Sequence, residues 1–274
     1  MSAKYPSEAV LVSQQAHQSD DPYDLVYSNI EVVSSFLEEH FRPQELSQQA
    51  LQSYFVDYFY SELNNGGFSQ FVYNTGWDES VDFVTAGFQA IGATRHLELF
   101  EDAARQIMEK LGTDRLIEFF ESDYFGENDE RDFLNAFDEA FYALEEHEDL
   151  IELNSRWLRS LPNLVVLTEE EIDAELQARI SALPDHEQRA SQALEEGPKF
   201  EKIIRAFCDQ QNLQLNMITG GNPSHEYNAQ QVLAWHFLTD QGPHYMIEVG
   251  TTALLFNSET HEKISELDAS IFPE

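Results

Sequence analysis

Cysteine, lysine and long apolar runs are scarce in this sequence, and each scarcity excludes a class of structure. The single cysteine, Cys208, allows no intramolecular disulfide and no Cys-x-x-Cys start for a zinc site, so stability has to come from packing. No run of about 18 apolar residues offers a transmembrane helix. The first residues, up to Gln18, lack the basic flank and apolar stretch of a secretory signal, so the expected location is cytoplasmic. Basic residues are the largest deficit: 15 lysines and arginines face 51 aspartates and glutamates, a net charge of −36 at pH 7. A field of that sign repels nucleic acid and anionic membranes and attracts cationic surfaces. The expected partner is a basic protein, with no direct nucleic-acid or membrane contact. Two plainer readings of the charge stand beside this one: life in high salt and simple solubility.

Apolar material is nonetheless ample. Hydrophobic residues make up 42% of the 274, with 20 Phe, 11 Tyr and 3 Trp, which suits two modest cores. Apolar residues recur at helical spacing over 25–37, 47–63, 68–73, 81–91, 94–111, 113–121, 133–144 and 150–161, with glycines and prolines as stops and Thr113 as one cap. Residues 122–130 read as a loop. The segment 163–197 reads as a charged helical connector, with Thr168 and Glu171 in capping-box spacing. Beyond Pro198 the pattern changes to a helix at 200–207, four strands at 213–218, 232–238, 245–249 and 253–256, and a last helix at 258–269. Gly220-Gly221-Asn222-Pro223, Gln241-Gly242-Pro243 and Gly250 read as the turns between the strands. The expected fold class is therefore mainly α: an all-helical domain at 1–162, the helical connector at 163–197, and a small α+β domain with an antiparallel meander at 198–274.

The acid is unevenly placed. Residues 1–162 carry 32 acids and 9 bases, 163–197 carry 9 and 2, and 198–274 carry 10 and 4. Within 118–152 there are 14 acids and one base, Arg131, a clustering that uniform halophilic acidity does not require. Residues four apart on a helix rise about 6 Å and share a face, which approaches the spacing of successive phosphates on a DNA strand. Asp114, Glu118 and Glu121 form one such row, and Asp138, Glu145, Asp149 and Glu152 are expected to form another opposite Phe137, Phe141 and Leu144. With Asp123, Glu127, Asp129 and Glu130 between them, these eleven carboxylates are the candidate partner-binding residues. Like charges at this spacing repel, a cost that a binding role explains and solubility alone does not.

The segment from Ser61 to Gly76 resembles the signature of a bacterial DNA-mimic protein domain family. The matching positions are Asn65-Gly66-Gly67-Phe68, then Gln70, Phe71, Asn74 and Gly76, and the resemblance extends over about residues 20–160. It implies an all-helical, dimeric domain whose type member uses surface carboxylates to occupy the DNA-binding face of a helix-turn-helix repressor. The motif itself reads as structural: its glycines permit a tight turn, its Asn and Gln cap helix ends, and Phe68 and Phe71 pack inward. No partner-binding residue is transferred by it, because mimicry rests on scattered acids.

Catalytic and metal readings are weaker. His225, Glu226, His236, His244, His261 and Glu262 enrich the C-terminal region in metal-ligand types without His-Glu-x-x-His spacing. Cys208 reads as a packed helix residue, and Gly220-Gly221-Asn222 lacks the Lys and Ser or Thr of a phosphate loop. No cofactor and no enzymatic activity is expected. The function expected is that of an acidic binding protein that mimics DNA charge and sequesters a basic, DNA-binding partner. The alternative is an interaction or scaffold module that uses the C-terminal sheet, its acidity serving solubility.

Overall fold

The computed structural model describes residues 3–122, 124 and 126–273. They divide into two compact units, Met1–His186 and Glu187–Glu274.

In the first unit the chain runs β1 (Val10–Ser13), α1 (Gln14–Gln18), α2 (Pro22–Glu38), α3 (Gln48–Gly66), α4 (Phe68–Thr75), α5 (Ser80–Ile91) and α6 (Thr94–Lys110). It continues through α7 (Gly112–Glu121), α8 (Asp129–Asn135), α9 (Asp138–Glu145), α10 (Leu150–Ser160), β2 (Leu164–Leu167) and α11 (Glu169–Ala182). Helical periodicity thus predicts most elements. The 133–144 stripe is two helices, broken at Ala136 and Phe137, and α7 begins at Gly112, so Thr113 lies inside it and is not its cap.

One ribbon departs from the all-helical expectation. Val10–Ser13 pairs in parallel with Leu164–Leu167, Val10 opposite Leu164 and Val12 opposite Val166. Both are short runs of apolar residues, the pattern of a parallel strand, which periodicity alone does not separate from a helix segment. This pairing also divides the 163–197 segment. Leu167, Ile172 and Leu176 join the core formed by Val10, Leu25, Val33, Phe36 and Leu51, so 164–182 belongs to the first unit instead of spanning between two. The Thr168–Glu171 capping box is present at the start of α11.

Two cores share α3. Ala50 and Leu51 face the core just described, whereas Val56, Phe59 and Leu63 enter a second one with Phe68, Phe71, Phe88, Phe100 and Phe141. The close approach of α3 to α5 rests on Gly87. A Cβ there would lie 2.6 Å from Val56 Cγ2 and 2.8 Å from the Gln52 carbonyl oxygen, so only glycine lets the backbones meet.

The second unit holds α12 (His186–Glu196, apart from its first residue), α13 (Lys199–Gln211) and a five-stranded antiparallel sheet in sequential order. Its strands are β3 (Leu215–Tyr227), β4 (Gln230–Thr239), β5 (Gly242–Val249), β6 (Thr252–Asn257) and β7 (Lys263–Asp268). Two expectations are corrected here. Gly220-Gly221-Asn222-Pro223 is no turn but lies within β3, where register shifts absorb it; the hairpin turns at Asn228 and Ala229, both at positive φ as a type I′ turn requires. The expected helix at 258–269 is instead β7, in which Ser265 and Leu267 alternate with exposed Ile264, Glu266 and Asp268.

Ile203, Ile204, Phe207 and Cys208 of α13 pack with Phe237, Met246, Ala253 and Leu255 from one face of this sheet. The other face carries Ala234, Tyr245, Ile247, Leu254 and Phe256. Tyr227 of β3 stands 5.8 Å, ring to ring, from Phe256 of β6. Three strand spacings in a flat sheet would amount to roughly 14 Å, so the sheet is strongly curled about that face.

Candidate partner-binding surface

The acidic stretch is best read by what each carboxylate touches. On α7, Asp114, Glu118 and Glu121 are all exposed and fall on one face, with half-exposed Ile117 among them, while Leu116 and Phe119 anchor the helix in the core. Glu127 and Asp129, at the approach to α8, are exposed as well. Asp123 lies outside the described residues. These five are exposed, as are Asp149 and Glu152, which have local partners.

The others have local tasks. Glu130 accepts from Arg115 Nε at 3.0 Å and pairs with its terminal nitrogen. Glu152 pairs with Arg156 at 2.9 Å. Asp149 is the N-cap of α10 and accepts from the Glu152 amide at 2.9 Å. Glu145 Oε1 stands 3.0 Å from Nε2 of the buried His96. Asp138 accepts from the Phe68 amide at 2.7 Å, and Asn135 accepts from the Ser69 amide at 3.3 Å. In the row expected from Asp138, Glu145, Asp149 and Glu152, the first two are half-buried and the last two exposed. Its members mostly satisfy donors that the fold leaves open.

The physical reason is visible at the helix starts. α4 begins after Gly67 and α6 after Ala93, and neither residue has a side chain able to cap the first-turn amides. Acids from later in the chain supply the missing acceptors: Asp138 for α4, and Glu148 for α6, where it accepts from the His96 amide at 2.9 Å and the Arg95 amide at 3.3 Å. Burial pushes the Glu148 carboxyl up, but the amide and ring donors of His96 and the Arg95 amide outweigh it and hold the group below its ordinary value. Burial raises the Asp138 carboxyl against the opposing pull of the Phe68 amide. Sequence spacing could not reveal these roles, because each cap lies some fifty or more positions from the helix it closes.

The family-like motif is part of the same arrangement. Gly67 has φ +84°, and a Cβ on it would lie 2.5 Å from Asp138 Oδ2 and 3.0 Å from Asn135 Oδ1, so the turn is glycine-dependent twice over. Gln70 and Asn74 do not cap helix ends as expected; both donate to Glu62 Oε2, at 2.8 and 2.7 Å, tying α4 to the last turns of α3. Phe68 and Phe71 are fully buried, and Gly76 closes α4 in the left-handed conformation. Replacing Asp138 by alanine is expected to cost about 1–2 kcal/mol, the range for a lost N-cap, in urea unfolding. If stability were unchanged while partner affinity fell, Asp138 would belong to the binding surface instead.

Among the described residues no group of three or more His, Cys, Asp or Glu is placed to hold a metal ion, and no helix is long and apolar enough to cross a membrane. His244 is buried and its Nδ1 meets the Gly242 carbonyl at 3.0 Å. His225, His236 and His261 surround Tyr245, and His236 is held below its ordinary value first by burial and then by His225. Burial raises the Cys208 thiol, as its packed position suggests. An open cleft of about 730 Å³ in the first unit is lined by polar side chains, including Ser13, Gln18, Thr168 and Glu169.

No curated protein and no solved structure shows significant similarity to the chain. Residues 44–161, from the turn before α3 to the end of α10, match the family model described as DMP19-like protein.

Proposed function

We propose that the protein is an acidic binding protein whose α7 surface mimics the charge of DNA and sequesters a basic, DNA-binding protein, acting without catalysis. The observation that carries this reading is the exposed row Asp114, Glu118, Glu121, continued by Glu127 and Asp129, within a segment that matches a DMP19-like family model. Successive acids on α7 rise by roughly 4.5–6 Å, in the range of a phosphate backbone, and a helix presents them without the entropy cost of ordering a loop. Because several other acids of this stretch are engaged internally, the proposed contact is narrower than the full cluster.

The test is capture at low salt with elution by a salt gradient, against an equally acidic control protein. The wild type is expected to retain a DNA-binding protein selectively and to compete with that protein's DNA. The variant carrying Asp114→Lys, Glu118→Lys, Glu121→Lys and Glu127→Lys should bind it roughly 100-fold more weakly, with unchanged helicity. Equal binding by the folded variant, or equal retention by the control, would sink the reading. A partner that resists salt elution would instead favour the open edge at β3, where Met217 is 59% exposed.

A further inference from the structure

The first unit contains a buried polar seam that the binding surface does not use. Asn29 of α2, Ser53 and Asp57 of α3, and Asn154 of α10 are all more than nine-tenths buried. Asn29 donates to the Ala50 carbonyl and Asn154 to the Ser53 carbonyl, both at 3.0 Å, so the two amides grip α3 from either side. Their remaining oxygens are orphaned: Asn29 Oδ1, Asn154 Oδ1, Asp57 Oδ1 and Ser53 Oγ have no hydrogen-bond partner among the described residues. Three of the four can only accept when Asp57 is ionised, and the seam is short of donors.

Asp57 occupies the sharpest position. Its one hydrogen bond is a long one, 3.4 Å from the Ser61 hydroxyl one turn on. The titratable groups that register its charge are Tyr23 from α2 and Tyr60 on its own helix, both neutral at physiological pH, and no charged group from α2 or α10 offsets its burial. A carboxylate so placed has no counter-charge, whereas the neutral acid adds an O–H donor of its own.

We propose that Asp57 is a proton-operated latch on α3: as the neutral acid it tightens the α2–α3–α10 seam, and its ionisation loosens the packing of α2 and α10 on α3. The position gives the latch reach, because α3 contributes to both cores of the unit and ends at the Gly66–Gly67 turn.

Burial pushes the carboxyl up to about 6 from an ordinary 3.8, with the Ser61 hydroxyl opposing weakly. The neutral form is thus favoured by folding, so the stabilisation is full below the ordinary aspartate range and is lost as pH rises towards and through 6. Amide hydrogen exchange in α2 and α10, corrected for intrinsic rates, reads it directly. Between pH 5 and 8 the opening constant should rise about tenfold more in the wild type than in Asp57→Asn, which keeps the shape and cannot ionise. Parallel pH curves for the two proteins would overturn the latch. Should the Asn variant fail to fold, a carboxyl-carbon NMR titration of the wild type decides: Asp57 half-ionised near pH 6 supports the proposal, and Asp57 fully charged at pH 5 ends it.

Discussion

His96→Ala is expected to lower the free energy of unfolding by about 3–5 kcal/mol, the range for truncating a fully buried ring and leaving its polar partners unsatisfied. His96 is fully buried on α6, its ring 5.8 Å from that of Phe88 and 6.5 Å from that of Phe141. Nδ1 lies 2.8 Å from Glu148 Oε2 in a hydrogen bond, and Nε2 lies 3.0 Å from Glu145 Oε1 in a charge contact whose angle falls short of one. A carboxylate oxygen thus faces each ring nitrogen. Removing the ring leaves the two carboxylates without its polar contacts and opens a hole beside two phenylalanines. Urea unfolding at neutral pH measures the loss, and a change below about 1 kcal/mol would mean that the cluster contributes packing alone.

Glu148→Gln separates the two duties of that carboxylate. The amide oxygen can still accept from the Arg95 and His96 amides, so the α6 cap survives while one of the two carboxylates beside the His96 ring loses its charge. Glu148 itself is held below its ordinary value, so its contribution is present above the unfolded carboxylate range and disappears as pH falls through the lowered value. Asp57 runs the other way, losing its contribution as pH rises. The first unit is thus squeezed from both sides of pH by two carboxyls in opposite surroundings, one with several donors and one with a single long hydrogen bond.

That contrast also marks how far sequence reading reaches. The periods of Leu51, Phe55, Phe59 and of Phe133, Phe137, Phe141 locate helices because the core selects one face of each, a signal carried within the segment itself. The strands β1 and β2 escape, since four apolar residues in a row have no period and their partners lie more than 150 positions apart. β7 escapes for a related reason: Ser265 is small and polar, so the alternation has only Leu267 to announce it. At the surface the limit is sharper. Asp114, Glu118 and Glu121 are exposed as the helical spacing predicts, because α7 anchors through Leu116 and Phe119 on its other face. Asp138 and Glu145 have equal spacing and composition, yet the fold engages them, because the α4 start after Gly67 needs a capping acceptor and the buried His96 ring lies against Glu145. Charge clustering alone cannot separate a carboxylate that meets a partner from one that meets a distant helix start.

The motif gains its meaning from this division. Gly67, at φ +84°, turns the chain from α3 into α4, whose Phe68 and Phe71 lie against Phe59 at ring separations of 6.3 and 5.2 Å. Phe59 also meets Phe88, Phe100 and Phe141 at 5.3, 5.5 and 5.2 Å, so one side chain of α3 touches rings from α4, α5, α6 and α9. Phe59→Ala is accordingly expected to cost about 3–5 kcal/mol, near the upper end for a buried aromatic, because five rigid rings cannot collapse into the space it leaves. Phe59→Leu should recover part of that loss by filling most of the hole. In thermal unfolding both variants should lower the midpoint, alanine by more. If alanine cost no more than leucine, the rings would be repacking freely, and the turn at Gly66–Gly67 would not be fixing the aromatic core as its geometry requires.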